Sequence, residues 1–377
     1  MKRRMKEHDY TERSIYMLTL TVEGRRKLLG EVAGRSDADG GSEDAPRFVP
    51  TELGALVSRE LEHIALHYPQ IQVLGRQLMP DHLHVILFVK ERLPVPLGAV
   101  VNGFKTGCRR AWRSVLFTPH SGATPNTAPH SSTRGAGSTG AARPAVDGVE
   151  CPAAVQQGKV GILFERGYND RVLYGKGQLQ AMIDYIRDNP RRLLAKREHP
   201  DLFRMHRDTV VCSLPFTSLG NHFLLHWPDR QLVEVSRSAG SDYIDEQLSK
   251  VLAAARNGAV TYTAAISDGE KRIARTVREQ GFPLVVLLAD GFPAEGSLQE
   301  RYYKPGGVYF EACSLGRLLL LEPKADVYEA PAVVQCTEDA LRRKAAARHF
   351  DYLPVPHTSK RYRFIALNEI GRMLVGQ

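Results

Sequence analysis

The chain has 377 residues, of which 43% are hydrophobic and 25% are charged, and its formal net charge at pH 7 is +9. This balance is typical of a soluble globular protein, and the length suits two hydrophobic cores better than one. No apolar run approaches the roughly 18 to 20 residues of a membrane span, so we expect no membrane partner. The excess of basic residues favours a polyanionic partner such as nucleic acid.

The five cysteines are widely scattered, and none forms a C-x-x-C pair. This spacing indicates neither a zinc site nor a disulfide framework. The basic first residues have no apolar core behind them, so we expect no secretory signal. Both observations favour the cytoplasm.

The first half of the chain is predicted to form an antiparallel sheet with helices on one face, a ferredoxin-like α+β fold. The order strand, helix, strand, strand, helix, strand, helix supports this. The predicted elements are a strand over 14–23, a helix after Pro50, strands over 72–79 and 82–89, a helix over 97–116, a strand within 161–173, and a helix over 177–188 that ends at Asn189-Pro190.

Residues 118–159 are dominated by Ser, Thr, Gly, Ala and Pro. Such a segment buries too little apolar surface to offset its ordering entropy, so we predict a disordered insertion. We place the end of the first domain after residue 210.

The second domain, residues 211–377, is predicted to be a Rossmann-like α/β unit. Continuous apolar runs that alternate with helices are typical of a parallel sheet covered on both faces. The predicted elements are short strands over 223–225 and 231–236, a helix over 242–255, a strand over 259–266, a helix that starts at a Ser267–Glu270 capping box, and apolar strands over 284–289 and 317–321.

The most informative segment in the chain is Pro-Asp-His-Leu-His-Val at residues 80–85. Side chains two apart on a strand share a face, so His82 and His84 would present two imidazoles together while Leu83 and Val85 face the core. Two neutral imidazoles suit Mn²⁺ or a similar divalent ion. The alternative is a pair of surface histidines without a ligand.

A second element is Tyr185, which lies four residues before Asn189 and therefore on the same helix face. The alternative to a functional role is a packing tyrosine followed by a capping Asn. Combined with a cation on the histidines, the Tyr185 oxygen could attack a phosphodiester, because the cation offsets the charge that develops on the phosphate. The products would be a 5′-phosphotyrosine and a free 3′-hydroxyl.

The helix over 97–116 carries a basic face. Lys105, Arg109 and Arg113 recur every four residues, with Arg110 beside them. This face is a candidate for binding a phosphate backbone, and the alternative is a solvated helix surface.

On these residues, the chain resembles the HUH single-strand transposases, in particular the REP-associated tyrosine transposases. The resemblance spans 16–196, apart from the insertion, and includes the P-D-H-L-H-V strand, the Y-x-x-x-N-P helix and residues 164–170 (FERGYND), similar to an R-G-Y-x-D signature. It implies the HUH fold and transposition of a hairpin-flanked element or repeat.

The same resemblance implies specific roles. Tyr185 would be the nucleophile, and His82 and His84 would hold Mg²⁺ or Mn²⁺ with Asn189 as third ligand, or Asp188 in its place. The substrate would be single-stranded DNA beside a hairpin, bound by a monomer or homodimer.

The second domain resembles the Rossmann-like domain of DNA-processing protein A. The resemblance is carried by Ser236-Arg237-Ser238, by 266–270 and by 304–307. Helix starts of this kind bind phosphate through free backbone N–H groups. Neither a G-x-G-x-x-G nor a P-loop motif is present. The alternative is a domain that packs or recruits a partner.

Three rival functions follow. One is a replication-initiator or relaxase-like nickase with the same chemistry. Another is a catalytically silent DNA- or RNA-binding regulator. In the third, the α/β domain carries the main activity on a nucleotide.

Overall fold

The structure, a computed structural model, describes residues 8–117, 161–293, 308–347, 349, 352 and 354–376. The predicted insertion at 118–159 and the 304–307 segment lie outside these ranges. The chain divides into two compact units, Met1–Leu194 and Ala195–Gln377.

The first unit contains a four-stranded antiparallel sheet with the strand order β4-β5-β1-β6, together with a separate hairpin of β2 and β3. Its elements are β1 (Ser14–Thr21), β2 (Gly30–Ala33), β3 (Arg47–Pro50), α1 (Glu52–His67), β4 (Ile71–Met79), β5 (His82–Val89), α2 (Leu97–Phe117), β6 (Asn169–Val172) and α3 (Gln178–Glu198).

Helices cover both faces of this sheet. On one face, Leu18 of β1 and Leu83 of β5 join the core formed with α1 and α2. On the other face, Met17 and Ile86 pack against Ile186 of α3. The prediction that all helices lie on one face is therefore wrong. Successive residues of a strand point to opposite faces, and in β1 and β5 both faces carry apolar side chains, so helices cover both.

Helix α3 also continues past Pro190 to Glu198, whereas the sequence predicted its end at Asn189-Pro190. A proline inside a helix removes one backbone hydrogen bond. The turn that follows is stabilised by tertiary packing, because Leu194 joins a buried cluster with Val32 and Met79. Packing therefore outweighs the local signal to stop.

The second unit contains a six-stranded sheet with the order β7-β8-β12-β11-β10-β9. Strands β9 to β12 are mutually parallel, and β7 and β8 are antiparallel. Its elements are β7 (Met205–Val211), β8 (Leu214–Gly220), β9 (Arg230–Val233), α4 (Ser241–Arg256), β10 (Val260–Thr263), α5 (Asp268–Glu279), β11 (Leu284–Leu287), α6 (Val308–Ser314), β12 (Leu318–Pro323), α7 (Pro331–Ala346) and α8 (Lys360–Val375).

Two details of this unit differ from the sequence prediction. The division after residue 210 falls inside β7, which pairs with β8, so the second unit begins earlier. The predicted strand over 223–225 is part of a 3-10 helix, His222–His226. The Asn221 side chain accepts a hydrogen bond from the backbone N–H of Phe223 and so caps this turn.

Neighbouring residues of β11 face opposite layers. Val286 packs with Val251 of α4 and Ile273 of α5, and Val285 packs with Leu341 of α7 and Ile370 of α8. The parallel strands are therefore covered on both faces, as their continuous apolar runs predicted. Of the helices that the structure describes, none has both the length and the apolar character of a membrane span.

Candidate active site

The two histidines of the motif lie at the start of β5 and face the layer that contains α3. His82 is opposite Thr21 and His84 is opposite Thr19 on β1. The residues between and after them, Leu83 and Val85, are buried in the core on the other face, as predicted. Strand periodicity therefore places both imidazoles on one side of the sheet.

The imidazoles converge through their Nε2 atoms. The Nε2 atoms of His82 and His84 are 3.2 Å apart, and the ring centroids are 4.7 Å apart with an angle of 84° between the planes. His84 is 8% exposed and His82 is half-buried. The two nitrogens are within hydrogen-bonding distance of each other, at the end of the sheet where β5 begins.

The outer nitrogens of the rings are held by neighbours. Asp81 Oδ1 lies 2.6 Å from Nδ1 of His82, and Thr19 Oγ1 lies 2.9 Å from Nδ1 of His84. A carboxylate that accepts the Nδ1–H of a histidine leaves its Nε2 lone pair available to a cation. The sequence interpretation missed both partners, although Asp81 directly precedes His82 in the motif.

Asp81 is a carboxylate at neutral pH. Burial would raise its pKa, but the hydrogen bond from His82, the charge of His82 and the Arg25 guanidinium, 3.2 Å away, together lower it to about 2. A carboxylate bonded to the outer nitrogen of a metal-binding histidine fixes the orientation of the ring toward the metal.

The donor set fits a divalent cation. Two nitrogens that bind one ion at about 2.1 Å lie about 3 Å apart when their bonds to it are roughly perpendicular, close to the spacing of His82 and His84. Asn189 of α3 has a buried Nδ2 atom without a hydrogen-bond partner among the described residues. The nitrogen and oxygen of an amide can exchange places by a flip, so Asn189 could turn its oxygen to a cation.

Of the three candidate ligands, only His82 and His84 belong to the residue types that most often bind metal ions in proteins. Among the residues that the structure describes, no group of three or more His, Cys, Asp or Glu side chains could hold a metal ion. The alternative third ligand, Asp188, has its two carboxylate oxygens 2.6 and 2.9 Å from the guanidinium of Arg191. Asn189 therefore remains the better candidate.

Tyr185 is placed beside the histidine pair. Its ring centroid is 6.2 Å from that of His84, with 68° between the planes, and the side chain is 38% exposed. Close packing of α3 on the sheet sets this position, since a Cβ at Gly75 of β4 would lie 3.3 Å from Cδ1 of Ile186. The structure thus places an exposed tyrosine ring next to His84, one of the two imidazoles.

The basic face of α2 lies in the other helix layer. α2 packs on the sheet face opposite to α3, so these cations do not converge on the histidines and Tyr185. The Lys105 ammonium donates hydrogen bonds to the carbonyl oxygens of Glu165, at 2.7 Å, and Gly167. The remaining three side chains of the face are exposed: Arg109, Arg110 and Arg113.

No protein-family model matches the chain, and no curated protein is significantly similar. Among solved structures, a REP-associated tyrosine transposase bound to a REP hairpin has 10% identity and a TM-score of 0.28, over 50% of this chain and 73% of that one. A candidate transposase from Deinococcus radiodurans R1 has 16% identity and a TM-score of 0.24, over 49% of this chain and 97% of that one.

DNA processing protein A from Helicobacter pylori, solved for its single-stranded DNA binding mode, has 13% identity and a TM-score of 0.24. The match covers 32% of this chain and 54% of that one, about half its length. Likenesses at these scores do not assign the chain to a family.

Proposed function

We propose that this chain cleaves and rejoins single-stranded DNA, with Tyr185 as the nucleophile. His82, His84 and Asn189 would hold a divalent cation, Mg²⁺ or Mn²⁺. One observation carries the proposal: an accessible phenol lies beside an imidazole pair whose Nε2 atoms are 3.2 Å apart. A tyrosine oxygen is a weak nucleophile until a base or a metal ion assists it, and the imidazole pair would hold such an ion beside Tyr185.

In the proposed reaction, the Tyr185 oxygen attacks the phosphorus and the bond from phosphorus to the 3′ oxygen breaks. The phenolic proton ends on that 3′ oxygen, so the products are a 5′-phosphotyrosine and a free 3′-hydroxyl. Attack by a 3′-hydroxyl on the phosphotyrosine reverses the step and rejoins a strand. A bound divalent cation would polarise the non-bridging phosphate oxygens.

The protein's own contribution is placement. Asp81 and Thr19 fix the two imidazole rings, and the packing of Ile186 on the sheet holds α3 above them. Placement of reacting atoms accounts for a large part of the rate of many enzymes. A rigid strand and a packed helix suit this role better than loops would.

The proposed substrate is single-stranded DNA beside a hairpin, and the proposed outcome is transposition of a hairpin-flanked element or repeat. The net charge of +9 and the exposed Arg109, Arg110 and Arg113 support binding to a phosphate backbone. Lys105 contributes less, because its ammonium already holds backbone carbonyls of the 165–167 segment.

Trapping of a covalent adduct tests the proposal. Wild-type protein with Mn²⁺ and a labelled hairpin oligonucleotide with a single-stranded flank should give a protein–DNA band on a denaturing gel, and Tyr185→Phe should not. Tyr174→Phe is the matched control, since Tyr174 is also exposed on the first unit. His82→Ala and His84→Ala should abolish the adduct while DNA binding in a gel-shift assay is retained.

Persistence of the adduct in Tyr185→Phe would overturn the nucleophile assignment. DNA binding by the wild type without any adduct, with Mn²⁺ or Mg²⁺, would identify a silent binding protein instead. Nicking of a supercoiled plasmid that carries an origin, with no reaction on the hairpin oligonucleotide, would indicate an initiator-like nickase.

A further inference from the structure

A guanidinium lies over the ring of the proposed nucleophile. Arg192 follows Tyr185 by seven residues on α3, about two helical turns, so both side chains lie on one face. The Cζ atom of Arg192 is 5.4 Å from the ring centroid of Tyr185. This distance is within the range of a cation–π interaction, which strengthens when the cation is removed from water.

Arg192 is well enclosed for an arginine. Its side chain is 14% exposed, and its Nη1 atom is 3.9 Å from Oδ2 of Asp188. That carboxylate also accepts two hydrogen bonds from the Arg191 guanidinium. The Asp188 carboxylate therefore pairs with two guanidinium groups of the next helical turn, those of Arg191 and Arg192.

The ring of Tyr185 needs such a support. The Tyr185 side chain is 38% exposed and has two rotatable bonds, and its ring contacts both His84 and the Arg192 guanidinium. In-line attack tolerates little misplacement, since an error of about 1 Å can cost on the order of 100-fold in rate. A guanidinium also presents paired N–H donors that match phosphate oxygens.

We infer that Arg192 is a positioning residue for the proposed reaction. It holds the Tyr185 ring beside His84, and its charge stabilises the phosphate once that phosphate is joined to the ring. The inference rests on the proposed function, since it assigns a role toward the same nucleophile. A cation–π contact would stabilise any tyrosine ring. A cation at this position would in addition offset the charge of a phosphate joined to that ring.

Single-turnover adduct formation with Mn²⁺ and saturating hairpin oligonucleotide tests this role. The Kd for the same oligonucleotide is measured in parallel. Arg192→Met, which keeps the stem and removes the charge, should slow adduct formation roughly 10- to 100-fold with less than about a threefold change in Kd. Arg192→Lys should recover only part of the lost rate, because a lysine ammonium retains the cation–π contact but lacks the paired donors of a guanidinium. Arg187→Met, an exposed arginine of the same helix, should match the wild type.

The outcomes separate the two proposals. If Tyr185→Phe still forms the adduct, the proposed function fails. If Tyr185→Phe is inactive while Arg192→Met reacts at the wild-type rate, only the role of Arg192 is overturned. Equal loss in the Lys and Met variants, or loss of DNA affinity in place of rate, also overturns it. Should Arg192→Met not fold, Arg192→Gln compared with Arg192→Lys carries the same test.

Discussion

At the scale of single residues, the neighbours of the imidazole pair matter as much as the pair itself. Asp81 and Thr19 place an oxygen atom against Nδ1 of His82 and of His84 respectively. The charge of Asp81 is kept by Arg25 and His82, which hold its pKa at about 2. The outer contacts therefore decide which nitrogen of each ring is presented to a ligand.

Replacement of Asp81 tests this orientation. Asp81→Asn keeps the shape of the side chain but removes its charge, so Mn²⁺ affinity should fall by about 10- to 100-fold. Isothermal titration calorimetry with Mn²⁺ measures the change. Asp37→Asn is the control, since Asp37 lies outside the histidine motif and forms an exposed ion pair with Arg35. An affinity equal to that of the wild type would contradict the orienting role of Asp81.

Two thiols are predicted to be inert. Burial raises the pKa of Cys108 well above its ordinary value, and it raises the pKa of Cys313 to about 12. A raised pKa keeps the thiol protonated below that value, so no reactive thiolate forms at pH 8. Peptide mapping after brief iodoacetamide treatment of the native protein should find both unmodified. Labelling of either before unfolding would show that the site is open.

At the scale of elements, α3 links the core of the first unit to the proposed active site. Its apolar stripe packs on the sheet through Ile186, while Tyr185 projects beside that stripe. Gly75 leaves room for the close approach of the helix, since a side chain there would touch Ile186. The position of Tyr185, the proposed nucleophile, therefore depends on how tightly α3 packs on the sheet.

Truncation of Ile186 should weaken that packing. Ile186 is 2% exposed, so Ile186→Ala removes buried methyl groups and leaves a cavity, with an expected loss of about 2 to 4 kcal/mol in the free energy of unfolding. The milder Ile186→Val should cost about 0.5 to 1.5 kcal/mol. Urea unfolding followed by circular dichroism gives both values. Equal stability of the alanine variant and the wild type would mean that α3 is not packed as described.

In the second unit, one carboxylate joins two loops. Glu270 of α5 is 2% exposed, and its oxygens accept hydrogen bonds from the backbone N–H groups of Val235, Ile266 and Ser267. Glu270→Ala should leave three backbone donors, two of them buried, without this acceptor and cost about 3 kcal/mol or more. Ser267→Ala removes only the other half of the capping box and should cost about 1 kcal/mol. Urea unfolding ranks the two, and a larger loss for Ser267→Ala would contradict this account.

At the scale of the whole molecule, each of the two units has its own sheet and its own buried clusters. We therefore predict two cooperative transitions in differential scanning calorimetry of the full chain. Ile186→Ala should lower the Tm of one transition by several degrees, and Glu270→Ala should lower the other. If both variants shift both transitions equally, the chain unfolds as a single cooperative unit.

Local patterns predicted much of this protein. The bounds of β5, the extent of α2 and the capping box of α5 follow from period-2 alternation, period-3.6 spacing and cap chemistry, all of which depend on neighbouring residues. For the same reason the sequence alone determined that His82 and His84 share a face. It also placed Tyr185 and Asn189 one turn apart on one helix.

Only the tertiary structure decided how these pieces meet. Packing between distant segments decides three features of α3. The helix continues through Pro190, it lies on the sheet face opposite α2, and its Tyr185 contacts His84. The use of Lys105 to hold the 165–167 segment depends on it too. A side chain's periodic position follows from its own stretch of backbone, whereas its partner is chosen by whichever distant group best satisfies buried surface and hydrogen bonds.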